Sequence, residues 1–292
     1  MKYQIFSAIL LLLFSCNSPQ KQLDNSFYVF NNCVRTLPNA PETMDAQIAL
    51  VKKIGYDGFA GHQSQDNLRL FEEVKKSGLK MPEVYWGAEL DSAGNFVYRK
   101  EIHDIIEATE GTGLMVSLFT NAKMFDNNRD EGDRLFAEGF RELADFAAQY
   151  GAKVAVYPHV NNYCETSEHS VKLAQLVNRD NFGVIFNTCH LLKVEGEKGW
   201  QDKLINALPY LYMISINGAD SGNTREMGWD QLIQPLGEGT FDTWKLVKLA
   251  KDNGYEGLFG LQCYNINQDC EVALTKSMQT WEAYKMRYAE EK

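Results

Sequence analysis

Short, mostly apolar runs alternate with amphipathic stretches about eight times along this chain. The runs fall at residues 27–33, 56–60, 80–86, 114–119, 153–157, 182–187, 211–216 and 258–262. Nearly continuous apolar character marks parallel strands buried on both faces, since half-exposed strands alternate instead. Between the runs, apolar residues recur at helical spacing. Met44, Ile48 and Val51 form one stripe, Phe136, Phe140 and Leu143 a second, and Leu274, Met278 and Trp281 a third. Each stripe gives a helix one face to lay on a sheet.

A glycine stands at most helix-to-strand joints: Gly55, Gly78, Gly113, Gly151 and Gly254. Glycine there can take the left-handed conformation that ends a helix, and the next residue starts a strand. Eight βα alternations at this length predict a single-domain α/β protein, a closed (β/α)₈ TIM barrel. An open doubly wound sheet is the alternative, but no G-x-G-x-x-G follows the first strand. Two connections are long. Residues 87–98 carry the turn signal Asp91-Ser92-Ala93-Gly94-Asn95, and residues 218–240 are rich in glycine and polar side chains. Both are expected on the C-terminal rim, where barrel enzymes build their sites.

The start of the chain follows a different pattern. Lys2 precedes an apolar stretch from Ile5 to Phe14, too short to cross a bilayer but suited to a signal peptide. Leu13-Phe14-Ser15-Cys16 resembles the lipobox of bacterial lipoproteins, whose cysteine is lipidated; an ordinary secretory signal is the alternative. Residues 1–16 are thus expected to be a leader with Cys16 as lipidation site, 17–25 a polar tether and 26–292 the barrel. This predicts an exported, membrane-anchored protein, periplasmic or at the cell surface, touching the membrane only through its lipid.

The formal net charge is −10, and losing Lys2 with the leader makes the remainder more acidic. With no Lys/Arg block, nucleic acid is not an expected partner. Of the six cysteines, lipidation of Cys16 leaves Cys33, Cys164, Cys189, Cys263 and Cys270, an odd set with at least one free thiol. Cys33, Cys189 and Cys263 lie in or beside strand segments and read as small buried hydrophobes. A Cys263–Cys270 bridge is the alternative for that pair.

The second half carries a more specific signal. Val154-Ala155-Val156-Tyr157-Pro158-His159 and Gly183-Val184-Ile185-Phe186-Asn187-Thr188-Cys189-His190 are followed by Ile214-Ser215-Ile216-Asn217. Pro235-Leu236-Gly237-Glu238-Gly239-Thr240-Phe241-Asp242 and Gly254 to Gln262 come next. In order and spacing these resemble strands five to eight of the xylose-isomerase-like sugar isomerase/epimerase family. That resemblance implies a TIM barrel acting on a small-molecule carbohydrate. It also implies Glu, Asp, His and Glu at four strand ends, holding a divalent cation. Here those positions read Tyr157, Asn187, Ser215 and Gln262. A hard cation needs anionic oxygen, so this neutral quartet predicts that the family's metal site is lost and that no cofactor is held there. Amides and hydroxyls suit sugar hydroxyl groups, so all four are candidate substrate-binding residues; a decayed site with internally bonded side chains is the alternative.

The resemblance places His190, three residues after Asn187, as the candidate acid/base, a satisfied rim histidine being the alternative. His159 after Tyr157 and His62 at the end of strand two are candidate catalytic helpers by position. His103 and His169 fall in helical patterns and are expected to be solvated. Further binding candidates on the rim are Trp86 beside Tyr85, Lys123 as a cation near an oxyanion, Arg225 and Trp229 in the long strand-seven loop, and Glu238. Two functions remain open at this level. One is a metal-independent sugar isomerase or epimerase, or a lyase on a keto-sugar. The other is a non-catalytic carbohydrate-binding lipoprotein on a degenerate barrel.

Overall fold

The computed structural model describes residues 22–126 and 129–291. The leader and Cys16 lie outside these residues. The strands are β1 (Phe27–Phe30), β2 (Gly58–His62), β3 (Glu83–Leu90), β4 (Phe96–Tyr98), β5 (Met115–Asn121), β6 (Lys153–Val156), β7 (Phe182–Asn187), β8 (Leu211–Ile216) and β9 (Leu258–Leu261). Their order is β2-β1-β9-β8-β7-β6-β5-β3-β4, and β2 also pairs with β3 through Gly61↔Val84 and His62↔Tyr85. All neighbours except β3–β4 run parallel, so every strand but β4 belongs to a closed barrel. The barrel is the (β/α)₈ architecture expected from the βα rhythm, not the open sheet.

Side chains on these strands alternate between barrel interior and helix-facing exterior. Phe27 faces out and stacks on Trp281 of the last helix, Cys270–Glu290, at 4.6 Å between rings. Tyr28 faces in and donates its hydroxyl to Glu83. The helical stripes pack as expected, with Phe136, Phe140, Leu274 and Trp281 fully buried. The glycine joints take positive φ, 105° at Gly55 and 84° at Gly78, where a side chain would be strained.

Several boundaries differ from the sequence pattern. β1 stops at Phe30, and Asn31–Val34 turns into a helical segment, placing Cys33 in a turn above the barrel rather than in a strand. β2 starts two residues late because Tyr56 packs beneath the last helix and donates to the Leu274 carbonyl at 2.8 Å. β3 begins after Pro82, which has no N–H to give a ladder. The connection at 87–98 is not a rim loop. β3 runs on to Leu90, Asp91 Oδ1 accepts from the N–H groups of Ala93 and Asn95, and β4 returns antiparallel.

All five described cysteines are buried free thiols, so Cys263 and Cys270 do not form a bridge. Among the described residues no helix is long and apolar enough to cross a membrane.

The last residues assigned to the tether, 23–25, pack against the barrel. Leu23 and Asn25 are buried. Asn25 Nδ2 donates to Gly257 O at 2.7 Å, and Asp24 lies 3.6 Å from the buried Lys251 ammonium. The folded unit therefore begins before residue 26. Asn25→Ala should cost about 1–3 kcal/mol in chemical denaturation, because it leaves a buried carbonyl unpaired. A change below roughly 0.5 kcal/mol, the usual range of a surface substitution, would mark the segment as a tether after all.

Candidate functional site

A cavity of about 550 Å³ opens at the C-terminal end of the barrel, within the usual range for small-molecule sites. Its wall includes His62, Tyr85, Tyr157, His159, His190, Trp229 and Gln262. All but Tyr85, which lies within β3, come from a strand end or the connection after it. His62 closes β2, Tyr85 points inward from β3, and Tyr157 directly follows β6, where its N–H donates to Leu118 O at 2.8 Å. His190 lies on the helix Thr188–Val194 that leaves β7. Gln262 follows β9, held by its N–H to Ile216 O at 2.9 Å.

The aromatic groups make a continuous wall. Tyr85 meets Tyr157 edge-on at 4.8 Å and stacks under His62 at 5.7 Å. Trp229 opens the short helix Trp229–Leu232, is 40% exposed, and meets His190 edge-on at 5.3 Å. Such faces pack well against the C–H face of a ring while their edges and neighbours bond hydroxyls.

Three histidines line the cavity. His159 and His190 face each other with ring centroids 4.0 Å apart. Burial pushes the His190 imidazole well below its ordinary pKa, and the nearby His159 adds to this. Burial also lowers His159, opposed by the Val160 carbonyl, Asn162 and Glu165. His62 is pushed down to about 4 by burial and by Arg35. All three are therefore neutral at pH 7, each with one basic nitrogen. The hydrogen bonds identify which. His190 Nδ1 accepts the Val160 N–H at 3.4 Å, so its proton is on Nε2. His159 Nδ1 donates to the Val160 carbonyl at 2.8 Å, leaving the lone pair on Nε2. His62 Nδ1 accepts from Ser64 N at 3.1 Å.

Other candidates lie elsewhere. Asn187 and Ser215 sit in register on β7 and β8 but are buried off the cavity wall. Asn187 Nδ2 donates to Pro158 O at 3.4 Å and its Oδ1 accepts from Cys189 Sγ, so the amide is committed to the wall. Ser215 Oγ has no partner among the described residues. Trp86 follows the inward Tyr85 and so points outward, buried beneath Arg99 at 5.9 Å. Lys123 is exposed on the 3₁₀ turn Lys123–Phe125, outside the cavity. Arg225 donates to Glu195 O at 2.6 Å, which ties the loop down. Glu238 pairs with Lys276 and accepts from Gln268 at 2.9 Å, so it organises its own loop. His103 and His169 are not simply solvated. The first stacks on Phe146 at 4.0 Å, and the second bonds Asp133 at 2.7 Å.

The structure adds residues that the sequence reading passed over. Phe30, Asn32, Asn161, Asp230, Ile233, Tyr264 and Asn265 also line the cavity. Asn161 and Asn265 take φ of 62° and 59°, the left-handed turn conformation that asparagine tolerates, and this was the available signal. Below the cavity Glu83 is fully buried, accepting hydrogen bonds from Tyr28 and Ser117. A lone acid in an otherwise apolar strand segment was its signal.

The sequence matches the family described as xylose isomerase-like TIM barrel over residues 48–283. The chain belongs to that family. An inosose dehydratase from Glaesserella parasuis serovar 5 (strain SH0165) is 32% identical over 84 residues, 29% of this chain and 27% of that relative. The match therefore spans only about a quarter of that relative's length. Among solved structures, the IOLI protein with a binding zinc atom superposes with a TM-score of 0.70 at 17% identity, covering 90% of this chain and 99% of that one. The 3-keto-D-glucoside 4-epimerase YcjR from E. coli gives 0.64 at 20% identity, covering 85% and 98%.

A divalent cation does not fit the four positions here. Gln262 Oε1 already accepts from Cys33 Sγ and Tyr264 N, Asn187 faces its own wall, and none of the four is anionic. Among the described residues no group of three or more His, Cys, Asp or Glu is placed to hold a metal. Protein purified without chelator should carry well under one equivalent of Mn, Mg or Zn by plasma mass spectrometry. A stoichiometric metal would contradict the argument from neutral donors.

Burial pushes the Glu83 carboxyl up to about 7, against the opposing hydrogen bonds of Ser117 and Tyr28. Because the folded value lies above the unfolded one, folding is favoured by the protonated form. That contribution, on the order of 3 kcal/mol, is complete below about 4.5 and is lost as pH rises through 7. Glu83→Gln should therefore flatten the fall in denaturation free energy between pH 5 and 8. An unchanged slope would mean Glu83 is not the titrating group.

Proposed function

We propose that this protein acts on a carbohydrate carrying a carbonyl group, moving a proton at the adjacent carbon without a metal ion. The observation that carries the reading is the facing pair His159 and His190, both neutral, with a lone pair on Nε2 of one and an N–H on Nε2 of the other. His159 Nε2 takes the proton from carbon as the C–H electron pair moves towards the carbonyl oxygen, and His190 Nε2–H donates to that oxygen. Delivery of a proton to the opposite face by a water molecule there epimerises. Return of the His159 proton to the neighbouring carbon isomerises, as the enediol hydroxyl on the original C–H carbon gives up its own proton and becomes the new carbonyl. Loss of a β-hydroxyl as water gives elimination. Family membership and the epimerase and dehydratase names among its relatives favour this chemistry. In this reading His62 bonds a hydroxyl, Gln262 donates to a substrate oxygen, and Tyr157, Tyr85 and Trp229 pack against the sugar. The leader and Cys16 would deliver the barrel outside the cytoplasm on a lipid anchor.

A second reading is a carbohydrate-binding lipoprotein without turnover. It is favoured by Trp229 and Tyr264, aromatics 40% and 49% exposed on the cavity wall, which resemble a binding platform as much as a catalytic lid.

Incubation with D-tagatose, D-psicose and a 3-keto-glucoside in D₂O, followed by NMR, separates the two. The catalytic reading expects deuterium at a carbon beside the carbonyl, with His159→Gln and His190→Gln each slowing exchange by about 10²–10⁴-fold. Because burial lowers both imidazoles, the basic form persists as pH falls. The rate should therefore stay level through 6.5, where an ordinary imidazole protonates. Saturable binding of these sugars with no exchange would establish the binder instead.

A further inference from the structure

We infer that Gln262 presents its amide N–H groups to the cavity as an oxyanion donor beside His190, and that Cys33 is the positioning residue that fixes this orientation. The inference rests on the proposed carbonyl chemistry and assigns the charge-stabilising part of it. Gln262 Oε1 accepts from two groups, Cys33 Sγ at 2.7 Å and the Tyr264 backbone N–H at 3.1 Å. A backbone N–H can only donate, so the atom it meets is the amide oxygen, and the nitrogen is turned the other way. Nε2 makes no hydrogen bond to any described residue, while the side chain lines the cavity.

The arrangement depends on how β1 ends. Because the strand gives way to the helical segment Asn31–Val34, Cys33 is carried over the barrel mouth towards Gln262 instead of continuing along the wall. Cys33 is fully buried, and its thiol lies 2.7 Å from Gln262 Oε1, nearer than the 3.7 Å to Asn32 Oδ1, with Cys263 also beside it. On the Tyr264 side, the same loop that supplies the second donor also carries Asn265 in the left-handed conformation, with its N–H bonded to Thr36 Oγ1 at 2.8 Å. Thr36 in turn donates to Cys33 O at 2.8 Å. The loops after β1 and β9 are thus bolted to each other around one amide.

The consequence is a reversal of electrical role. A glutamate at this strand end offers negative oxygen to a cation, and the cation meets the developing enolate. Gln262 keeps the shape and offers hydrogen directly to the oxygen where charge grows. His190 Nε2–H is the other donor on the same cavity wall. Two neutral donors on one wall stabilise an oxyanion without burying a charge in the free protein.

Glycolohydroxamate, a two-carbon mimic of an enediolate, tests this by calorimetric titration of the full chain in EDTA. The wild type should bind. Gln262→Glu keeps both acceptor bonds and replaces the N–H groups with an anionic oxygen, so it should weaken binding at least roughly hundredfold. Cys33→Ala should weaken it about tenfold, and Cys33→Ser, which restores a donor, should recover most of the loss. Thermal melting of each variant checks that it is folded. No binding to the wild type, or Gln262→Glu binding as well as wild type, overturns the inference. Gln262-dependent binding in a protein that exchanges no sugar hydrogen would sink the catalytic reading and leave the donor pair standing. Sugar exchange that survives Gln262→Glu unchanged would do the reverse.

Discussion

In a closed barrel each strand residue faces either a dry interior or the surrounding helices, and this two-residue alternation decides what every side chain at the mouth can do. Tyr85 and Trp86 are neighbours of similar chemistry, yet the first lines the cavity and the second is buried outside the barrel under Arg99. On β1 the same phase sends Tyr28 in towards Glu83 and Phe27 out onto Trp281. A polar group that points inward has no water to fall back on, so it must find a partner or face the cavity. Glu83 found two hydroxyls; Asn187 found Pro158 O and Cys189; Gln262 found donors for its oxygen only.

Much of the fold was legible because it is built from repeated local signals. Apolar runs, helical stripes and joint glycines each state one element, and eight repetitions leave little choice of architecture. What was not legible depended on phase or on distant partners. Nothing local distinguishes Trp86 from Tyr85 as the outward residue until the strand is placed. Arg225 and Glu238 were binding candidates because their loop is long and polar, but Arg225 is tied to Glu195 O and Glu238 to Lys276 of the last helix. Asn25 looked like tether because its partners, the carbonyls of Gly257 and Tyr255, lie far along the chain.

The site was half legible for a related reason. Residues beyond strand ends could be named by position: His62, Tyr157, His159, His190, Trp229 and Gln262 all reach the cavity. Asn187 and Ser215 were placed by the same rule, but both are buried below the rim, Asn187 bonded to its own wall and Ser215 Oγ without a partner among the described residues. The orientation of the Gln262 amide could not be read at all, since it is set by Cys33 and Tyr264 from two other segments of the mouth.

The neutral strand ends and the neutral histidines are two aspects of one arrangement. Burial lowers an imidazole pKa, and a nearby carboxylate raises it. Were Tyr157, Asn187 and Gln262 acids, His159 and His190 would sit among negative charges, and without a cation to balance them both rings would favour the protonated state. With those charges absent, desolvation dominates and each ring keeps a lone pair. In the proposed reaction, neutral side chains at these strand ends would therefore do more than fail to hold a cation: they would leave the adjacent imidazoles in the basic form at neutral pH. The charge that a base creates on the substrate then has to be met by hydrogen-bond donors, and the amide at the last strand end is turned to supply them.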